Sequence, residues 1–96
     1  MPPRAAAGAR QTYLVEHYRP GLDAEELRRS AARIRDAAGE MEGEGKPLRH
    51  VRSTIVPDDE SLFCVFEAAS EELVREAYAR TGIPFERIST AISDED

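Results

Sequence analysis

The run Ser61-Leu62-Phe63-Cys64-Val65-Phe66-Glu67 is the segment that most limits how this chain can fold. It is apolar at odd and even positions alike, whereas a strand with one wet face alternates apolar and polar residues. Such a strand has to be covered on both faces. In a chain of 96 residues one helical layer covers only one face of a sheet. The second face needs another cover, and a second copy of the chain is the simplest one. The run therefore predicts a central strand of a sheet that dimerises through its helix-free face.

Composition excludes several classes. A formal net charge of -6 argues against nucleic acid or an anionic membrane as partner, because both require a basic footprint. Cys64 is the only cysteine, so neither an intrachain disulfide framework nor a site built on several thiolates is available. No apolar run approaches the ~18 residues that a membrane span needs. Residues 1–10 lack a continuous apolar stretch and read as a disordered tail rather than a secretory signal. Residues 93–96 read as an acidic tail, and 11–92 as one domain of a cytoplasmic protein.

Within that domain the first strand runs Gln11 to Tyr18 and is closed by Pro20-Gly21. Asp23 with Glu26 predicts a capping box, after which Leu27, Ala31, Ile34, Ala38 and Met41 form one helical stripe. Arg28, Arg29, Arg33, Arg35 and Asp36 fall off that stripe and should face water. The second strand, Leu48 to Val56, alternates, and Pro57-Asp58-Asp59-Glu60 is a turn too short for a crossover. The third strand then pairs with the second as an antiparallel hairpin. Ser70 predicts the cap of a second helix, with Leu73, Val74, Ala77 and Tyr78 on its apolar face and Gly82 at its end. A last strand runs from Phe85 to about Ile92.

The order β-α-β-β-α-β with right-handed crossovers gives an α+β, ferredoxin-like fold: a four-stranded antiparallel sheet, order 4-1-3-2, with both helices on one face. Strands 1 and 3 carry apolar residues on both faces, as central strands should, while Arg49, Arg52, Glu86 and Arg87 interrupt the edges.

A hairpin pairing Val56 with Ser61 puts His50 opposite Glu67, Arg52 opposite Val65 and Thr54 opposite Phe63. With Val51 and Ile55 facing the helices, His50, Arg52 and Glu67 point to the helix-free face, joined there by Leu14 and Glu16 from strand 1. Two carboxylates, an imidazole and a guanidinium around an apolar floor suit a small-molecule site of Glu16, His50, Arg52 and Glu67, with Arg52 as an anion or carboxylate anchor. They also suit a divalent metal such as nickel, held by His50, Glu67, Glu16 and His17. The plainer alternative is that these charges are interface ion pairs that fix dimer register. His17 follows Glu16 directly and so points to the opposite face, which favours a solvated histidine over a ligand. A carboxylate beside His50 should raise its pKa. Cys64 should face the helices as a small hydrophobe, and Tyr78 should be a core residue with its hydroxyl at the rim.

Four segments together resemble the DUF4242 family of small ferredoxin-like proteins: Tyr13-Leu14-Val15-Glu16, Val51 to Val56, Phe63 to Ala68, and Glu72 to Ala77 continuing through Thr81-Gly82-Ile83-Pro84. The resemblance covers about Thr12 to Ile92. It implies a ferredoxin-like dimer, in a family with nickel-binding or nickel-responsive members.

The resulting expectation is a homodimer with a non-enzymatic binding role, for a small molecule or a divalent metal such as nickel; no other cofactor is called for. The alternative is an enzyme of the dimeric α+β-barrel kind, a cofactor-independent oxygenase, cyclase or isomerase acting on an apolar or aromatic metabolite. Its mark would be a closed cavity of several hundred Å3, on the ~300–1,000 Å3 scale of ordinary ligand pockets.

Overall fold

Local chemistry starts and stops each element. The Asp23 carboxylate accepts the Glu26 N–H at 2.9 Å while the Glu26 carboxylate accepts the Asp23 N–H at 3.0 Å, the reciprocal box that the sequence predicts. It opens α1 (Ala24–Gly43), which follows β1 (Gln11–Tyr18). The remaining elements are β2 (Leu48–Val56), a 3-10 turn (Pro57–Asp59), β3 (Ser61–Ala68), α2 (Glu71–Thr81) and β4 (Arg87–Ala91). This computed structural model describes residues 10–92; apart from Arg10, the two expected tails lie outside the described residues. Ser70 has the extended backbone of an N-cap, but its hydroxyl makes no capping bond. Glu71 and Glu72 favour the positive end of the α2 dipole instead. Gly82, at φ 72°, supplies the left-handed end of α2.

The sheet is antiparallel in the order β2-β3-β1-β4, the expected order read from its other edge. Tyr13 and Val15 of β1, Leu48 of β2, and Leu62, Cys64, Phe66 and Ala68 of β3 bury one face. Against them pack Leu27, Ile34, Ala38 and Met41 of α1 with Val74, Ala77 and Tyr78 of α2. The opposite phase of the central strands, Leu14, Glu16, Phe63, Val65 and Glu67, stays half-exposed. Strand β4 is shorter than the expected Phe85–Ile92, because Phe85 turns toward α2, its ring 5.1 Å from that of Tyr78. No helix among the described residues is long and apolar enough to cross a membrane.

Polar contacts tie the connections together. Glu60, left-handed at φ 52°, accepts the Arg19 N–H on its carbonyl at 2.8 Å and the Gly21 N–H on its carboxylate at 2.9 Å. The hairpin turn is thereby fastened to the loop entering α1. Arg80 of α2 reaches Glu44 and Glu76 at 2.7 Å each, and Lys46 reaches Glu76 at 2.7 Å. These pairs are solvated and link the two helical ends only modestly.

The hairpin departs from a continuous register at one point. Val56↔Ser61, Thr54↔Phe63 and Arg52↔Val65 pair as expected, but His50 pairs with Phe66 and Val51 has no partner. Val51 is a β-bulge. Its cause is Leu48: without an extra residue, the phase that faces Ser53 and Ile55 toward the helices would turn Leu48 outward. The bulge lets Leu48 be fully buried opposite Ala68. It also carries His50 to the helix side of the sheet, edge-on to Phe66 at 5.4 Å, against the expectation that it lies on the helix-free face.

Deleting Val51 should therefore regularise β2 and leave stability within about 1 kcal/mol of wild type. Phe66→Ala should cost about 3–5 kcal/mol. Urea denaturation measures both, and an unfolded Val51 deletion would refute this account of the bulge.

Candidate functional site

The residues expected to form one site divide between the two faces of the sheet. Glu16 lies on the helix-free side, its carboxylate bonded by Arg87 Nε at 2.9 Å. Glu67 is on the same side, but Arg49 rather than His50 lies opposite it and bonds it at 3.0 Å. Arg52 keeps its expected pairing with Val65 and is exposed. His17 and His50 both project to the helix side. Among the described residues, no three His, Cys, Asp or Glu side chains gather as a metal site.

His17 is 2% exposed rather than solvated, because it continues the inward phase of Tyr13 and Val15. Its Nδ1–H donates to the Leu62 carbonyl at 2.8 Å, and its ring lies 5.2 Å from that of Tyr78. The hydrogen bond fixes the neutral tautomer and leaves Nε2 enclosed without a partner. Burial pushes the His17 pKa down; the Leu62 bond opposes this and Arg19 adds to it. The Tyr78 hydroxyl is buried beside Cys64 without a hydrogen bond, not at the rim. Burial holds both the phenol and the Cys64 thiol protonated.

The bulge places His50 at a different site. Helix α1 passes over the β2 edge and presents Arg28, Ala31, Ala32 and Arg35 along one face, at spacings of three, one and three residues. With the β2 segment His50–Ser53 they line a solvent-open groove of about 520 Å3. His50 Nε2 and Ser53 Oγ are 2.8 Å apart, and Ser53 Oγ is 3.2 Å from the Cys64 sulfur. Burial lowers the His50 pKa and the nearby Arg35 charge lowers it further, the reverse of the rise expected from Glu67. Arg28 and Arg52 make no ion pair among the described residues, and Arg35 has only a loose one with Asp36 at 3.6 Å. The groove thus combines cationic arms with a bonded imidazole–hydroxyl pair that keeps at most one N–H or O–H free, a donor set for an anionic or polar group. Sequence reasoning assigned Arg28 and Arg35 to water, and both are exposed. Their helical spacing around two alanines was the available signal, but the strand beneath them was not.

Residues 13–90 match the profile of a family described as "Nickel responsive protein SCO4226-like". No curated protein matches the sequence. Among solved structures, the fold is similar to that titled "Crystal structure analysis of SCO4226 from Streptomyces coelicolor A3(2)", with a TM-score of 0.66 at 17% identity. That match covers 88% of this chain and 99% of the other.

Because its pKa is depressed on folding, His17 contributes stability that is complete above its unfolded pKa of about 6.5 and is lost as pH falls through the folded value. Urea midpoints should fall between pH 8 and 5, and fall less steeply in His17→Asn, which keeps a donor for Leu62; equal slopes would contradict this. By NMR, His50 should titrate below its ordinary value in both wild type and Glu67→Gln.

Proposed function

The chain belongs to the family of nickel-responsive SCO4226-like proteins, and we propose that it is a non-enzymatic homodimeric binding protein whose small-molecule ligand sits in the α1–β2 groove. The groove carries this reading. At about 520 Å3 it falls within the ~300–1,000 Å3 range of small-ligand sites, and it gathers side chains that find little compensation elsewhere in the chain. The reading uses neither Cys64 nor Tyr78 as a nucleophile, in keeping with the burial that holds both protonated. A lone buried thiol also suits a cytoplasmic setting.

The dimer is supported by Leu14, Phe63 and Val65, half-exposed on adjacent central strands of the helix-free face. Glu16, Arg52 and Glu67 share that face as charges able to fix register between copies.

A nickel ion does not fit the ligands of one subunit. Glu16 and Glu67 are neutralised by arginines on one side of the sheet, while His17 and His50 lie on the other. Ni(II) uptake measured by calorimetry should be about micromolar or weaker. Tight uptake lost in His50→Ala would overturn the misfit.

Sedimentation velocity should give a dimer for wild type and a folded monomer for Val65→Asp, which sets an unpaired charge into the interface. An unchanged dimer in that variant would remove the interface. Amide NMR with a library of neutral, cationic and anionic fragments should give shifts at Ala31, Ala32, Val51 and Ser53, abolished by Ala32→Trp. Shifts confined to another region would reject the groove as the ligand seat.

A further inference from the structure

We infer that the α1–β2 groove is a site for a phosphate-type dianion carried on a small organic molecule, gripped by Arg28 and Arg35 from α1 and by His50 and Ser53 beside the β2 bulge. The inference rests on the reading of the groove as a ligand seat and names the ligand's class. Arg28 and Arg35 are two helical turns apart, about 10 Å along the axis. Long side chains starting at that separation can converge on one group over the small methyls of Ala31 and Ala32, which leave the floor between them open. A planar guanidinium fork bonds a tetrahedral oxyanion through two parallel N–H groups, and two forks match two negative charges.

The charges around the groove support this. Arg49, Arg75, Arg80 and Arg87 each hold a carboxylate at 3.0 Å or less. Arg28 has no such partner among the described residues, and Arg35 has only its chain neighbour Asp36 at 3.6 Å. Arg35 is also close enough to His50 to depress its protonation. Cations facing one hollow, Arg28 unpaired among the described residues and Arg35 only loosely paired, repel one another until an anion enters. In a chain of net charge -6 this is a local inversion of sign. The overall field disfavours large polyanions, so the groove suits a small one.

The bulge adds a second element. Val51 has no partner on β3, so the strand edge beside His50 and Ser53 departs from the ladder where the groove opens. Bulges commonly re-aim side chains next to binding sites. The Ser53 hydroxyl, held between His50 at 2.8 Å and the Cys64 sulfur at 3.2 Å, is fixed in position at that edge. The groove volume exceeds the needs of a lone oxyanion and leaves room for an organic remainder.

The test is an amide NMR titration of the full chain with inorganic phosphate, glycerol phosphate and glycerol, each against chloride at matched ionic strength. Glycerol phosphate should shift Ala31, Ala32, Val51 and Ser53 and bind more tightly than inorganic phosphate, while glycerol should be silent. Arg28→Gln and Arg35→Gln should each weaken binding about tenfold; both sites are exposed, and circular dichroism checks that the variants fold. Deleting Val51 should weaken binding as well, with the fold retained. Shifts reproduced by chloride, or an affinity unchanged from wild type in both arginine variants, would overturn the inference. Inorganic phosphate binding as tightly as glycerol phosphate would overturn the organic carrier. Neutral or cationic fragments filling the groove while both phosphates stay silent would overturn the anion and leave the ligand seat standing. An empty groove with every probe would overturn both.

Discussion

Burial of the inward phase of β3 is the constraint on which the rest of the structure depends. Leu62, Cys64, Phe66 and Ala68 are all fully buried, and they sit between β1 and β2 under both helices. Strand periodicity then fixes Phe63, Val65 and Glu67 on the other face. Because β1 pairs with β3 from Gln11↔Ala68 to Tyr18↔Ser61 without interruption, its inward phase follows, and His17 is carried into the core behind Tyr13 and Val15. A histidine in that position is held neutral by desolvation and kept in place by the Leu62 carbonyl. Two buried polar atoms lack a partner among the described residues: His17 Nε2, carried inward by strand phase, and Tyr78 Oη, on the buried face of α2.

The β2 bulge is the one place where that periodicity yields. An edge strand is paired on one side only, so it accommodates an extra residue more easily than β1 or β3 would. What the bulge achieves is the burial of Leu48, and its by-product is the transfer of His50 from the helix-free face to the cleft beneath α1. A packing demand at one end of a strand thus decides the environment of an imidazole two residues away. The same step separates His50 from Glu67 and hands the carboxylate to Arg49.

Charge is distributed to match. Most basic side chains are spent on carboxylates, at the sheet edge between Arg87 and Glu16 and at the helical ends around Arg80. Arg28 and Arg52, which have no carboxylate partner among the described residues, border the α1–β2 groove with the loosely paired Arg35, so an acidic protein carries a concave cationic surface there. Membership of a nickel-responsive family does not by itself give this chain the ligands to hold a metal within one subunit. The geometry of its polar groups is better matched to an anion than to a cation.

The sequence by itself determined the element order, the capping box at Asp23, the strand bounds of β1 and β2, the central place of β1 and β3, and the split between an inward and an outward phase on each. These follow from contacts within a few residues or from strict alternation, which the chain carries in its own spacing. It also placed Arg52 opposite Val65, because that part of the hairpin lies between the turn and the bulge. Tertiary structure alone decided which face His50 took, which partner Glu67 met, and that the inward-pointing His17 is buried rather than solvated. The phase of β2 below Arg52 depends on Leu48 finding the core, and that is a contact with Ala68, twenty residues away, rather than a local preference. The groove was invisible for the same reason: Arg28 and Arg35 are solvated helix residues, as expected, but nothing local shows that the β2 edge lies beside them. Local rules write the alternation of each strand, but only packing chooses where an alternation breaks.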